Sequence, residues 1–278
     1  MTGSFQIGAG QVEASGAVSV MAALATWLPY RRPAPGRPRL VAFPYAGGGA
    51  AAVHQWLSPL GDIAELCAVQ LPGREGRREE TPWRDMAHAV PALARALAPV
   101  MEGAPVVFFG HSMGALLAYE VARRFQETGV TLPRHLVLSG MAPPHVPHRV
   151  PPLHQMDRED AIRTLAAMGG TPRIILEEPD LMDMMLPVIQ ADIALVRSRP
   201  RDGGPPIARP ILCLGGRDDP LAPPEDVSQW RRYGSSGVTE RLFDGGHFFL
   251  TDAAGPVHAA IRSVLARPAS RQTEAEAR

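Results

Sequence analysis

Residues 106–121 read Val-Val-Phe-Phe-Gly-His-Ser-Met-Gly-Ala-Leu-Leu-Ala-Tyr-Glu-Val. An apolar, strand-forming run enters Gly110-His111-Ser112-Met113-Gly114, and a helix-forming run leaves it. That is the sequence form of a nucleophile elbow, a strained strand-to-helix turn that lifts one serine hydroxyl above a sheet. The flanking glycines suit a crowded turn, because a side chain there would collide with backbone. Ser112 then sits at a helix N-terminus, where free N–H groups can hold an oxyanion. A Gly-x-Ser-x-Gly pentapeptide also arises by chance in a glycine-rich chain, so the evidence lies in its flanks and partners.

Outward from the elbow, short apolar runs alternate with helical patterns. Strands are predicted at 40–43, 66–71, 106–109, 135–139, 211–214 and 239–243. Helices are predicted at 50–60, 86–101, after the elbow, and at 253–265. Such alternation implies a mostly parallel sheet covered on both faces. Residues 141–200 break the rhythm: two helical segments, at 158–168 and 179–196, and no good strand. An insertion between two sheet strands would lie over the strand ends as a lid, about 141–200. Met156, Met168, Met182, Met184 and Met185 fall in this region, as ordinary helix packing or as an adaptable acyl-binding wall. Residues 1–26 read as an N-terminal appendage, with Met21 a candidate start, and 266–278 as a polar C-terminal tail.

A serine hydroxyl needs a general base to attack at neutral pH. His247, in Asp244-Gly245-Gly246-His247-Phe248, directly follows the last predicted strand, which puts it at the same sheet edge as Ser112. An acid must hold its tautomer. Gly216-Arg217-Asp218-Asp219-Pro220 follows the penultimate strand and offers two aspartates; Asp244 fits better as part of the turn entering the histidine loop. The resulting order Ser, Asp, His is that of the α/β hydrolases. Oxyanion donors are expected from the Met113 N–H and from the loop after the first strand, at Ala46 or Tyr45. His111 is expected to pack against the neighbouring strand. Arg74, Arg77 and Arg78 read as a solvated loop, with docking as the other use.

The 278 residues suffice for one large α/β domain, and 28 basic residues balance 28 acidic ones, which gives no sign of a nucleic-acid or membrane partner. Cys67 and Cys213 lie in apolar runs and read as core residues, without disulfide or metal spacing. The histidines show no ligand cluster, so no metal is expected. Residues 17–28 are apolar, but Arg31 and Arg32 follow them and no cation precedes them, the wrong polarity for a secretory signal. A cytoplasmic location is expected.

Several motifs together resemble the type II thioesterases, the stand-alone partners of polyketide synthases and nonribosomal peptide synthetases. They are Phe43-Pro44-Tyr45-Ala46-Gly47-Gly48, Leu71-Pro72-Gly73-Arg74, Phe109-Gly110-His111-Ser112-Met113-Gly114, Ser139-Gly140-Met141-Ala142-Pro143-Pro144-His145, Asp218-Asp219-Pro220 and Asp244-Gly245-Gly246-His247-Phe248. The likeness runs from about Trp27 to about Leu265. It implies an α/β-hydrolase fold over 27–265 with a helical lid. It also implies a triad of Ser112, Asp219 and His247 and an oxyanion hole at Ala46 and Met113. The implied activity is hydrolysis of acyl groups from the phosphopantetheine arm of acyl or peptidyl carrier proteins. No cofactor of the enzyme's own is implied, and a monomer is expected. A chain-releasing thioesterase, a general carboxylesterase or a non-catalytic hydrolase-fold binding protein are the other readings. One departure is visible: Ala191-Asp192-Ile193 stands where family members often carry Ser-Asp-Tyr, which leaves acyl preference open.

Overall fold

The computed structural model describes residues 23–267 except 170, 172 and 203. Residues 1–22 of the expected appendage, with its candidate start at Met21, and nearly all of the expected tail lie outside the described residues; Leu24, within the expected appendage, is buried in the main core. Six strands form one sheet in the order β2-β1-β3-β4-β5-β6. They are β1 (Arg39–Phe43), β2 (Glu65–Ala68), β3 (Val106–His111), β4 (His135–Ser139), β5 (Ile211–Gly216) and β6 (Val238–Phe243). Every pairing is parallel. The expected mostly parallel α/β sheet is therefore observed.

Parallel strands need crossovers, and the crossovers bury both faces of the sheet. The strand residues divide by the period of two. Val41, Phe43, Phe108, Leu136, Leu138 and Cys213 join one core, packed on α2 (Met86–Leu97) and α3 (Met113–Thr128). Leu40, Ala42, Val107, Phe109, Val137 and Leu214 face the opposite core, with α1 (Ala50–Leu57) and, near the C-terminus, Ala254–Leu265. Both cysteines are buried and unpaired, as expected. Where the lid is expected, α4 (Arg158–Met168), α5 (Arg173–Glu177) and α6 (Pro179–Arg197) fill the connection from β4 to β5. These lid helices share a small core of their own, with Leu153, Leu165, Met182, Leu186 and Ile193 at its centre. The short α5 was not foreseen. After β5 come α7 (Pro224–Val227), α8 (Phe249–Asp252) and α9 (Ala254–Leu265).

Where predicted ends differ from observed ones, proline and hydrogen bonding explain it. The helices expected at 50–60 and 86–101 finish as 3-10 turns at Ser58–Leu60 and Ala98–Met101. Pro59 and Pro99 have no N–H for an i→i−4 bond, so the α ladder stops before them. β2 ends at Ala68 rather than Leu71. Val69 N–H still reaches Ala42, but Gln70 N–H turns away to the Trp27 carbonyl, and Pro72 has nothing to donate.

The sheet order places a switch point beside β1: the chain passes from β1 to β2 on one side and from β3 outward on the other. Crevices at the carboxyl ends of strands open at such points. The turns after β1, β3, β5 and β6 all meet there.

Candidate active site

Ser112 caps α3 with φ 53 and ψ −122, a left-handed backbone that a serine adopts only when its surroundings enforce it. Contacts on both sides show the enforcement. A Cβ on Gly110 would lie 2.1 Å from the Gly114 carbonyl, and one on Gly114 would lie 2.2 Å from the Phe43 carbonyl oxygen. Strand β3, helix α3 and the end of β1 thus touch backbone to backbone, and only glycine fits at the two contacts. The Ser112 N–H is tied to the Ser139 carbonyl at 2.8 Å.

His247 and Asp219 reach this serine from the last two strand ends. The loops that carry them are laced together. Arg217 N–H donates to the Phe243 carbonyl at 2.8 Å, and Asp218 N–H to the Gly245 carbonyl at 3.0 Å. Asp219 is 2% exposed. Its Oδ1 accepts from the N–H groups of Leu221 (2.8 Å) and Ala222 (3.1 Å), which leaves Oδ2 for His247 Nδ1, 2.8 Å away. A carboxylate can only accept, so Nδ1 carries the proton and Nε2 presents its lone pair. The Ser112 hydroxyl donates to that Nε2 across 3.0 Å. The geometry therefore brings Ser112, His247 and Asp219 into one chain of hydrogen bonds. Asp218 is exposed and gives its backbone N–H to the loop lacing, and Asp244 pairs with Arg217 at the surface.

The Met113 N–H opens α3, and the Ala46 N–H belongs to the loop after β1. Neither donates to a protein acceptor among the described residues, and Ala46 lines the same cleft as Ser112 and His247. His111 packs on β4 as expected, with Nδ1 2.9 Å from the Ser139 hydroxyl. Burial, with the neighbouring His247, holds its pKa far below the usual imidazole value, so it stays neutral beside the site. Tyr45 stacks edge-on against Phe248, with centroids 5.6 Å apart, and burial raises its phenol pKa.

Two buried residues of the site were not legible beforehand. Arg74, read as part of a solvated loop, is only 7% exposed. Its guanidinium meets Asp192 of α6 with two bonds, at 2.7 and 2.8 Å, and also donates to the Gly48 carbonyl. Asp192 accepts as well from the Gly47 N–H at 2.8 Å. A lid helix, the Ala46 loop and the loop after β2 are thus fastened at one buried ion pair. Ile189 closes the same contact, since a Cβ on Gly47 would lie 2.7 Å from its side chain. The departure noted at 191–193 holds part of the signal, but Asp192 and Arg74 lie too far apart in sequence for any local pattern to join them.

A thioesterase domain model matches residues 38–265. The chain belongs to the thioesterase family. The gramicidin S biosynthesis protein GrsT of Aneurinibacillus migulanus is 34% identical over 215 residues, 77% of this chain and 84% of that protein. Two solved structures are similar over most of their length. The type II thioesterase BorB from the borrelidin biosynthetic cluster superposes with a TM-score of 0.76 at 33% identity, over 86% of this chain and 98% of that one. RedJ, the thioesterase from the prodiginine biosynthetic pathway in Streptomyces coelicolor, gives 0.74 at 35% identity, over 86% and 98%. The hydrolase fold and the enzyme class expected of this thioesterase are both borne out. None of its described helices is long and apolar enough to cross a membrane.

Proposed function

We propose that this thioesterase hydrolyses acyl groups from the phosphopantetheine arm of carrier-protein domains, clearing aberrant or stalled units from a polyketide or nonribosomal peptide synthase. The observation that carries the chemistry is the relay Ser112–His247–Asp219, with spacings of 3.0 and 2.8 Å, at the floor of a cleft under the lid. The setting is supported by the relatives, which are named for gramicidin S, borrelidin and prodiginine biosynthesis.

In this reading His247 Nε2 takes the hydroxyl proton as Ser112 Oγ bonds to the thioester carbonyl carbon. The carbonyl oxygen becomes an oxyanion, held by the N–H groups of Ala46 and Met113, with the α3 N-terminus adding its partial positive charge. The carbon–sulfur bond breaks, and the departing sulfur collects the proton from His247 as a free pantetheine thiol. Water then gives a proton to the same nitrogen and attacks the acyl ester. Ser112 recovers its proton and the free acid leaves. Asp219 keeps the imidazole oriented and stabilises it while it is charged. No step needs a cofactor of the enzyme's own.

The test is peptide mapping of enzyme quenched during turnover of an acyl-pantetheine thioester. Acyl mass is expected on the peptide bearing Ser112, and Ser112→Ala should lose both the adduct and roughly 10^3-fold or more of kcat while keeping its melting temperature. Near-native hydrolysis by Ser112→Ala would defeat the assignment.

A further inference from the structure

His111 ends β3 and immediately precedes the nucleophile, and its ring packs against the general base. The two imidazole centroids are 5.0 Å apart, with the planes at 45°. Phe248 and Phe249 flank the His111 ring at 5.5 and 5.8 Å. Gly140 closes the remaining side. A Cβ there would lie 2.6 Å from the imidazole Cε1, so only glycine leaves room for the ring.

The buried, neutral ring has one proton to place. Ser139 stands in register with His111 across β4 and β3, and its hydroxyl lies 2.9 Å from Nδ1. With that hydroxyl donating, the ring proton sits on Nε2. This Nε2 is buried and has no hydrogen-bond partner. The His247 carbonyl, for its part, receives no backbone N–H among the described residues. The backbone of His247 nonetheless bears on the His111 ring and favours a proton there. An unmet donor and an unmet acceptor thus face each other beside the general base. Buried polar groups pair, and bonds that are loose in a resting active site tighten when substrate is bound. Ser139 serves the nucleophile as well, since its carbonyl accepts the Ser112 N–H at 2.8 Å.

On the footing of the Ser112–His247–Asp219 relay, we propose that His111 is a positioning residue for the general base. Its Nε2–H braces the His247 carbonyl, and the Ser139 hydroxyl sets the tautomer that allows this. Asp219 then orients the side chain of His247 while His111 holds its main chain. His111 does not line the cleft above Ser112, so it acts on turnover through His247 and not through the acyl group.

Amide substitutions separate the two ring nitrogens. Asn places its amide near the position of Nδ1, whereas Gln carries an N–H out to that of Nε2. On an acyl-pantetheine thioester, His111→Asn should lower kcat roughly 10- to 100-fold with KM changed by less than about twofold. Fluorophosphonate labelling of Ser112 should slow by a similar factor. His111→Gln should lose no more than about threefold of either rate. Ser139→Ala should lower kcat by about threefold or more, and adding it to His111→Asn should cost little further, because both act through one brace. All rates are taken below each variant's melting temperature. If His111→Asn does not fold, Ser139→Ala decides, and a parent-like kcat there would overturn the brace. Parent-like rates in His111→Asn, equal losses in the Asn and Gln variants, or a loss confined to KM would also overturn it, and would leave the relay standing. A parent chain whose Ser112 resists the fluorophosphonate would overturn the relay itself.

Discussion

His247 stands between an acceptor that cannot donate and a hydroxyl that can, and this fixes where its proton sits. Asp219→Asn tests that arrangement. The amide oxygen can still accept from Leu221 and Ala222, so the fold should survive. The amide nitrogen, however, turns a donor toward Nδ1 and favours the wrong tautomer, with an expected loss of ~10^3–10^4 in kcat. A steady-state assay on an acyl-pantetheine thioester reads this; a loss below tenfold would remove Asp219 from the relay. Ser112 and His247 were legible in the sequence because each follows an apolar run within a few residues. Asp219 was less so. Local sequence leaves it equal with Asp218, and the resemblance to a family preferred it. The physical difference is that the Asp218 N–H is drawn onto the Gly245 carbonyl while the Asp219 carboxylate is buried against two backbone donors and the imidazole.

Among elements, the contact that reaches furthest is the one between lid helix α6 and the loops after β1 and β2. Asp192 and Arg74 form a buried, two-pronged pair whose other bonds go to Gly47, Gly48 and Pro72. Asp192→Ala would leave the Arg74 charge buried without its partner. A loss of ~3–5 kcal/mol in stability is expected, seen as a lower melting temperature or urea midpoint. The Ser112–His247–Asp219 bonds do not pass through Asp192. Labelling of Ser112 by a fluorophosphonate should therefore persist below the lowered melting point. An unchanged melting temperature would mean that the pair is not a fastening. Strand and helix existence could be read from periodicity, since both core faces follow it. Arg74 and Asp192 could not, because charged residues in a Pro/Gly loop and on a lid helix look solvated until the fold sets them face to face. The elbow was legible because its glycines are demanded locally, by backbone contacts within a few residues and with the end of β1.

For the molecule as a whole, the two sheet faces bury nearly every apolar strand residue, and a few titratable groups are carried in with them. His135 starts β4, is 5% exposed, and its Nε2 has no hydrogen-bond partner. Burial, aided by Arg267 and Arg134, pushes its pKa down to about 4. An unfolded histidine titrates near 6.5. As pH falls below that value the unfolded chain gains a proton that the folded chain refuses, so this share of stability is complete above pH ~6.5 and drains away as pH falls through about 4. The share amounts to at most ~3 kcal/mol. His135→Leu should show a shallower decline of melting temperature from pH 6.5 to 4 than the parent chain, compared in matched buffers. Parallel declines would mean that His135 does not hold its proton off in the fold.

Carrier-thioester hydrolysis at Ser112 is tested most directly by one comparison of kcat/KM. The same isobutyryl group is presented as a thioester on a carrier protein and as a nitrophenyl ester, to the parent enzyme and to Ser112→Ala. The expected result is a preference for the carrier of roughly 100-fold or more, abolished in Ser112→Ala. A preference for the free ester, or carrier hydrolysis that survives the loss of the Ser112 hydroxyl, would contradict it.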